Sequence, residues 1–181
     1  MNAAAEGREI NRCASGGEET VRVTLRPACP ADEPFLFRLF AGGRPDLEWI
    51  TYLSEEQKTE LYRRQFRCEQ EQFKKNYPDA QFCIVLLEGE PVGRLYVHRG
   101  KEEFRGLAIT LLPEFRNMGI GSELINGMLR DASKAGKPVR IHVAWYNYAA
   151  RALYERLGFR VVEDGGAYCE MQCEPEVKNE P

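Results

Sequence analysis

The sequence predicts a single mixed α/β domain in which short strands alternate with amphipathic helices. Its 181 residues, 43% hydrophobic and 29% charged, suffice for one full core. Apolar runs at 82–87 and 92–97 flank a Glu-Gly-Glu-Pro turn, which is typical of a hairpin. A third run at 107–112 has the length of a buried strand, and apolar residues over 120–132 then recur at helical spacing.

Local signals predict the other elements of the domain. The alternation over 21–26 indicates a first strand that Pro27 closes, and 31–41 has a helical apolar face. Ser54 to Gln57 forms a capping box that opens a long helix through about Lys75. Further strands are predicted at 139–145, 160–162 and 168–173, the last two as an antiparallel pair, with a short helix between 147 and 158.

The two ends of the chain differ in composition from this central domain. Residues 1–20 are rich in Ala, Gly, Glu and Asn, without the apolar core of a signal peptide, so they are predicted to be a flexible tail. The domain itself is assigned to 21–173, and 174–181 is predicted to be a polar tail. Because no run approaches the roughly 18 apolar residues of a membrane span, we expect a cytoplasmic protein without a membrane partner.

Charge and cysteine usage argue against two classes of function. The formal charge of −3 and the pI of about 5.6 provide no basic face for a phosphate backbone, so nucleic acid is not an expected partner. The 6 cysteines are scattered without Cys-x-x-Cys pairs, and there are 2 histidines. We therefore predict no metal site and free thiols in a reducing compartment.

The segment Arg116–Ser122 is a glycine loop between a predicted strand and a predicted helix. The first amides of a helix lack intrahelical partners and lie at the positive end of its dipole, so several of them can point at one anion. Gly119 and Gly121 allow close approach to the backbone, and Arg116 and the Ser122 hydroxyl could contact phosphate oxygens. An ordinary strand-to-helix turn would explain the same pattern.

A second segment follows at 147–159. Asn147 is a good helix N-cap and Gly158 a good C-terminal stop. The two segments together, about 30 residues apart, resemble the GNAT superfamily of acyl-CoA-dependent N-acetyltransferases. The resemblance covers about residues 21–173. Leu111 and Pro113 match the strand end that precedes the family's loop. Arg116 to Gly121 match that loop, Arg/Gln-x-x-Gly-x-Gly/Ala. The later family segment, Asn-x-x-Ala-x-x-x-Tyr-x-x-x-Gly-Phe, is matched by Asn147, Ala150, Tyr154 and Gly158-Phe159.

The resemblance implies both a fold and an activity. The GNAT fold is a mixed, mostly antiparallel sheet of six to seven strands with splayed central strands, flanked by about four helices. The activity is transfer of acetyl from acetyl-CoA, the co-substrate, to a primary amine of a small molecule or a protein. The amine attacks the thioester directly, and none of the cysteines lies in the motif segments to act as a nucleophile.

The family pattern also assigns residues to acetyl-CoA. The pantetheine arm would enter between the fourth and fifth strands of the family fold, where Leu111 and Asn147 are expected to contact it. Plain N-capping is the alternative role of Asn147. Ala150 belongs to the same motif and is placed with the cofactor-binding residues. The pyrophosphate is assigned to the loop amides of Asn117, Met118, Gly119, Ile120 and Gly121, with Arg116 and Ser122 assisting.

The catalytic assignments are less complete. Tyr154 matches the tyrosine that protonates the departing sulfur in this family, although a core tyrosine would look the same. Many members carry an acidic residue in the fourth strand, but 105–112 contains no carboxylate, and Ala108 and Ala144 occupy positions that face the cleft. Glu103 and His142 are the candidate bases, the latter because a histidine titrates near pH 6.5. A solvated glutamate, a core histidine and deprotonation through water remain alternatives.

Two other functions are compatible with the sequence. The missing strand carboxylate also fits an acyl-CoA binding or sensing module that is catalytically weak or inactive. A nucleotide-binding protein is disfavoured because the loop is neither Gly-x-Gly-x-x-Gly nor a Lys-Ser/Thr P-loop. The last predicted strand could pair between subunits, so the choice between monomer and homodimer stays open.

Overall fold

The computed structural model describes residues 8–10, 23–43 and 50–175. Within these ranges the chain forms eight strands and four α-helices, with short 3-10 helices at Pro30–Asp32 and Pro113–Phe115. The elements in chain order are β1 Arg8–Ile10, β2 Val23–Pro27, α1 Glu33–Ala41, α2 Glu55–Asn76, β3 Gln81–Leu87, β4 Glu90–Arg99, β5 Phe104–Leu111, α3 Ile120–Lys134, β6 Val139–Ala144, α4 Tyr148–Arg156, β7 Arg160–Asp164 and β8 Tyr168–Cys173.

One sheet runs through the described part of the chain, in the order β1-β2-β3-β4-β5-β6-β8-β7. All neighbours are antiparallel except β5 and β6, which are parallel. The connection between these two strands passes through α3, as a parallel crossover requires. The mixed, mostly antiparallel sheet is the fold class that the sequence predicts.

The sheet separates two apolar layers. On one face, Leu124 and Ile125 of α3 and Ile141 of β6, all at most 2% exposed, lie in one apolar cluster that also includes residues of α4. On the other face, α1 and α2 cover Ile84 and Tyr96 through Leu39 and other side chains. Among the described residues, both layers include side chains of β4 and β5, whereas β6 contributes buried residues to the α3/α4 layer only.

The hairpin and the capping box are confirmed. β3 and β4 pair around a turn at Glu88 and Gly89, whose φ angles of 49° and 88° are those of a tight two-residue hairpin turn. The Ser54 side chain accepts from the Gln57 N–H while the Gln57 side chain accepts from the Ser54 N–H. The sequence patterns therefore predicted the hairpin turn and the start of the long helix correctly.

Several boundaries differ from the sequence predictions, and two of the differences change the pairing of the sheet. β5 begins at Phe104 rather than at 107, because its first residues pair with β6 and β4 at once. The segment Arg8–Ile10, which the sequence analysis placed in the N-terminal tail, pairs with β2 and extends the sheet beyond the predicted six to seven strands. Three residues are too few for a periodic pattern, so the sequence could not indicate this strand.

Candidate functional site

The central opening of the sheet lies between β5 and β6. The two strands pair at Phe104–Val139, Arg105–Arg140 and Gly106–Ile141, and beyond these positions the described residues of the two strands form no further ladder. A β-bulge at Leu107, between the pairs Gly106–Val97 and Ala108–Tyr96, bends β5 at this point. The predicted splay of the central strands is thus present, and the bulge lies at the position where the splay begins.

Gly106 permits the close approach that precedes the splay. A Cβ at this position would lie 2.8 Å from Ile141 Cγ2 and 3.5 Å from Met128 Cε. A larger residue would therefore force β5 and β6 apart at their last paired position. Tight pairing at one end of the two strands and none at the other produces a wedge-shaped opening.

A cavity of about 170 Å³ occupies this opening. Its walls combine both faces of the sheet, because Tyr154 comes from α4 while Glu69 comes from α2. Ala108 and Ala144, predicted to face the cleft, line it. Asn147 and His142 line it as well, whereas Glu103 does not. The cavity therefore brings together the predicted residues Tyr154, His142 and Asn147.

The glycine loop leaves β5 and enters α3. Asn117 has a φ of 62° and Gly119, the N-cap of α3, a φ of 82°, so the loop turns through two left-handed residues. Gly119 has no side chain to cap the helix, and the first amides of α3 lack intrahelical partners. Residues 116–119 are mostly exposed, while Ile120 is 3% exposed and anchors the helix start in the core. The loop thus presents an uncapped helix N-terminus to solvent.

Arg116 makes two contacts with backbone carbonyls that its assignment to the pyrophosphate does not include. Its Nε donates to the Leu111 carbonyl at 3.1 Å, and its Nη2 donates to the Gly42 carbonyl at 3.4 Å. The guanidinium thereby ties the loop to the end of β5 and to the residue after α1. The backbone of Leu111 also pairs with Gly93 of β4. These contacts hold the loop in this conformation, and the assignment of Arg116 to the pyrophosphate stays a prediction.

The N-capping role of Asn147 is confirmed. Its Oδ1 accepts from the Ala150 N–H at 3.2 Å, so the side chain closes the first turn of α4. The residue remains exposed and lines the cavity. Ala150 itself packs on the α3/α4 layer. On the loop side, Gly121 approaches α4, where its Cβ would lie 3.5 Å from Leu153.

Tyr154 is almost fully enclosed. It is 7% exposed, and its ring lies 5.7 Å from the ring of Phe159. Burial raises the pKa of its hydroxyl from 10.0 to about 12, because the phenolate would lose its hydration. The side chain is therefore a neutral hydrogen-bond donor at physiological pH and lines the cavity as one.

The two candidate bases have different surroundings. Glu103 is held by Arg105 at 2.5 Å and by Arg140 at 3.1 Å, so its carboxylate is committed to neighbouring cations. His142 is half-exposed, and its Nε2 lies 3.4 Å from a carboxylate oxygen of Glu170 on β8. The two side chains form an ion pair whenever the imidazole carries a second proton. Of the two candidates, His142 is in the cavity wall and Glu103 is not.

Sequence reasoning missed two charged residues of the cavity. Arg94 on β4 is 4% exposed and pairs with Glu69 on α2, at 2.9 Å between Nη1 and Oε2 and 3.4 Å between Nη2 and Oε1. The Arg94 Nε also donates to the Thr110 hydroxyl at 3.4 Å. An arginine inside an apolar strand is a detectable signal, since such a residue is seldom buried without a partner.

The described residues show no group of three or more His, Cys, Asp or Glu side chains arranged to hold a metal ion. Among the helices in the described ranges, none combines the length and the apolar composition needed to cross a bilayer.

The fold is shared with known acetyltransferases. The Thermoplasma acidophilum PaiA N-acetyltransferase, solved with coenzyme A, superposes with a TM-score of 0.64 at 19% identity over 84% of this chain and 98% of that one. A Thermus thermophilus acetyltransferase gives 0.61 at 21% identity over 84% and 96%. The Escherichia coli ribosomal-protein-S18-alanine N-acetyltransferase gives 0.57 at 17% identity over 88% and 99%. Because residues 46–159 match the Acetyltransferase (GNAT) family, the chain belongs to that family.

Proposed function

We propose that this protein transfers an acetyl group from acetyl-CoA to a primary amine. The observation that carries the proposal is that β5 and β6 do not pair with each other beyond Gly106 and Ile141, and that the loop after β5 leads to the uncapped N-terminus of α3. The unpaired backbone can bond the amides of the pantetheine arm, and the amides of residues 117–121 can receive the pyrophosphate. Coenzyme A in the Thermoplasma neighbour supports the same donor.

The chemistry then takes place inside the cavity. The amine reaches the thioester carbonyl after losing a proton to His142, whose imidazolium the Glu170 carboxylate stabilises. The new C–N bond forms as the C–S bond breaks, the departing thiolate takes the proton of the Tyr154 hydroxyl, and the acetylated nitrogen releases its second proton to solvent. Solvent then reprotonates Tyr154, whose raised pKa favours the neutral form. The products are an N-acetyl amine and CoA.

A turnover assay tests this proposal. The protein is incubated with acetyl-CoA and a library of primary amines, and the released thiol and the acetylated product are measured by absorbance and mass spectrometry. We expect both signals for at least one amine. Acetyl-CoA binding without transfer to any amine would instead identify a sensing module, and the absence of acetyl-CoA binding would reject the donor assignment as well.

A further inference from the structure

The Glu69–Arg94 ion pair lies in the cavity wall and has no role in the transfer proposed above. Glu69 belongs to α2 and Arg94 to β4, so the pair joins the helix to the sheet on the α1/α2 face. Burying a guanidinium costs several kcal/mol unless it is paired, and here its partner borders an open cavity. This placement indicates a function besides packing.

The two members of the pair differ in accessibility. The Arg94 side chain is 5% exposed and lies 5.1 Å from the Tyr96 ring centre, whereas the Glu69 side chain is 29% exposed. Gln70 also donates to the Glu69 Oε2 at 3.3 Å. Both residues line the cavity, and the carboxylate is the more exposed member of the pair. The accessible part of the pair is anionic.

The rest of the wall does not oppose this charge. Among the described residues that line the cavity, charge is carried by Glu69, Arg94 and, when protonated, His142. The remaining wall is neutral and includes the phenol of Tyr168. A cation therefore gains from the Glu69 carboxylate, while an anion would have to displace it from Arg94. Alkyl amines are cations at neutral pH, since their pKa is near 10, as in lysine.

We propose that Glu69 binds the acceptor as an ammonium ion, which makes aliphatic amines the substrate class and Arg94 the positioning residue that fixes the carboxylate. This inference rests on the proposed transfer to an amine. The bound ammonium then gives its proton to His142 before it attacks. Glu69 itself forms no bond to the acetyl group and determines which acceptors are held.

Melting temperatures of the CoA-saturated protein test the proposal. The probes are n-butylamine and 1,4-diaminobutane, with n-butanol and 1,4-butanediol as uncharged analogues of equal chain length and NaCl at matched ionic strength. We expect at least one amine to raise the melting temperature by about 3 °C at about ten times its Kd, and the alcohols to have no effect. Equal shifts for amines and alcohols, or no shift for either amine, would overturn the proposal.

Variants then assign the effect to Glu69. In Glu69→Gln the amine shift should disappear, while Glu71→Gln, an exposed change on the same helix, should keep it. If Glu69→Gln does not fold, the double variant Glu69→Gln with Arg94→Gln removes both charges together and should also lose the shift. Persistence of the amine shift in either Glu69 variant contradicts the assignment. The CoA shift, measured in the same plate, reports the donor site separately and fails only if the proposed function fails.

Discussion

The two sides of the central cavity are built in different ways. Most of the donor side uses residues close together in sequence, since the end of β5, the loop and the start of α3 all lie within residues 107–122, and β6 adds residues 142–144. The acceptor side joins distant residues, because Glu69 contacts Arg94 across 25 positions and His142 approaches Glu170 from another strand. Contiguous residues can be recognised as a motif, and residues from different elements cannot.

The largest expected effect concerns the residue that links the two sides. Tyr154→Phe keeps the buried ring and removes the proton donor, so kcat should fall by about 1,000-fold. The Kd of acetyl-CoA should change little. Tyr148→Phe on the same helix, where the side chain is 68% exposed, is the matched control and should retain full activity. An unchanged kcat in Tyr154→Phe would remove this residue from the mechanism.

The second effect tests the donor side alone. Gly119→Asp places a carboxylate at the helix N-terminus where the pyrophosphate is expected, and should raise the Kd of CoA by about 100-fold, or ~2.7 kcal/mol. Gly136→Asp is the control, because Gly136 has a comparable φ of 65° and follows the other end of α3. Isothermal titration calorimetry measures the Kd of CoA for both variants. Equal losses of affinity would mean that general backbone strain, and not the added charge, weakens binding.

These two predictions show how far the sequence could lead. The strands from β2 to β8, the hairpin, the capping box and the glycine loop depend on neighbouring residues, so the sequence patterns were sufficient to predict them. The motif also placed Tyr154 and Asn147 correctly in the cavity. The motif gave no indication that Arg116 donates to the carbonyls of Leu111 and Gly42, because Gly42 comes from a distant part of the chain.

The residues of the acceptor side could not be predicted from sequence patterns, because they come from distant parts of the chain. Glu69 has the appearance of a solvated helix residue, and only the packing of α2 on β4 brings it to Arg94. The absence of a carboxylate in residues 105–112 was visible, but the groups that surround the cavity in its place were not. Long-range contacts of this kind require the tertiary structure.

The third effect measures the ion pair on the acceptor side. Glu69→Gln leaves the buried Arg94 with a neutral partner, and should lower the free energy of unfolding by about 2 kcal/mol, less than for a fully buried pair because Glu69 is partly exposed. Urea denaturation monitored by circular dichroism gives this value. Glu71→Gln should stay within about 0.5 kcal/mol of the wild type. If both variants match the wild type, the pair does not hold α2 to the sheet.

The smallest expected effect concerns the ion pair between Arg26 and Asp32, which lie close together in the sequence, unlike Glu69 and Arg94. Asp32 accepts from Arg26 at 2.6 and 2.7 Å and from the Cys29 N–H, and the Arg26 hydrogen bond holds the pKa of its carboxyl well below the usual range. Asp32→Asn should therefore cost about 1.5 kcal/mol at about pH 7. Because the folded pKa is the lower one, this stabilisation is present above about pH 4 and is lost as the pH falls further.

Denaturation of the wild type and of Asp32→Asn between about pH 7 and about pH 2 tests whether this stabilisation is lost as the pH falls. The difference between wild type and Asp32→Asn should shrink toward the acid end, and the exposed change Asp79→Asn should show no such trend. A difference that stays constant with pH would mean that the carboxylate charge contributes nothing.

Amide hydrogen exchange with and without CoA tests the central claim most directly. If the edges that β5 and β6 leave unpaired with each other hold the pantetheine arm, and the loop holds the pyrophosphate, CoA should protect peptides that cover 107–111, 116–122 and 142–144. The paired β7 and β8 should be unaffected and serve as the internal control. Protection confined to other parts of the chain, or no protection at saturating CoA, would contradict the account.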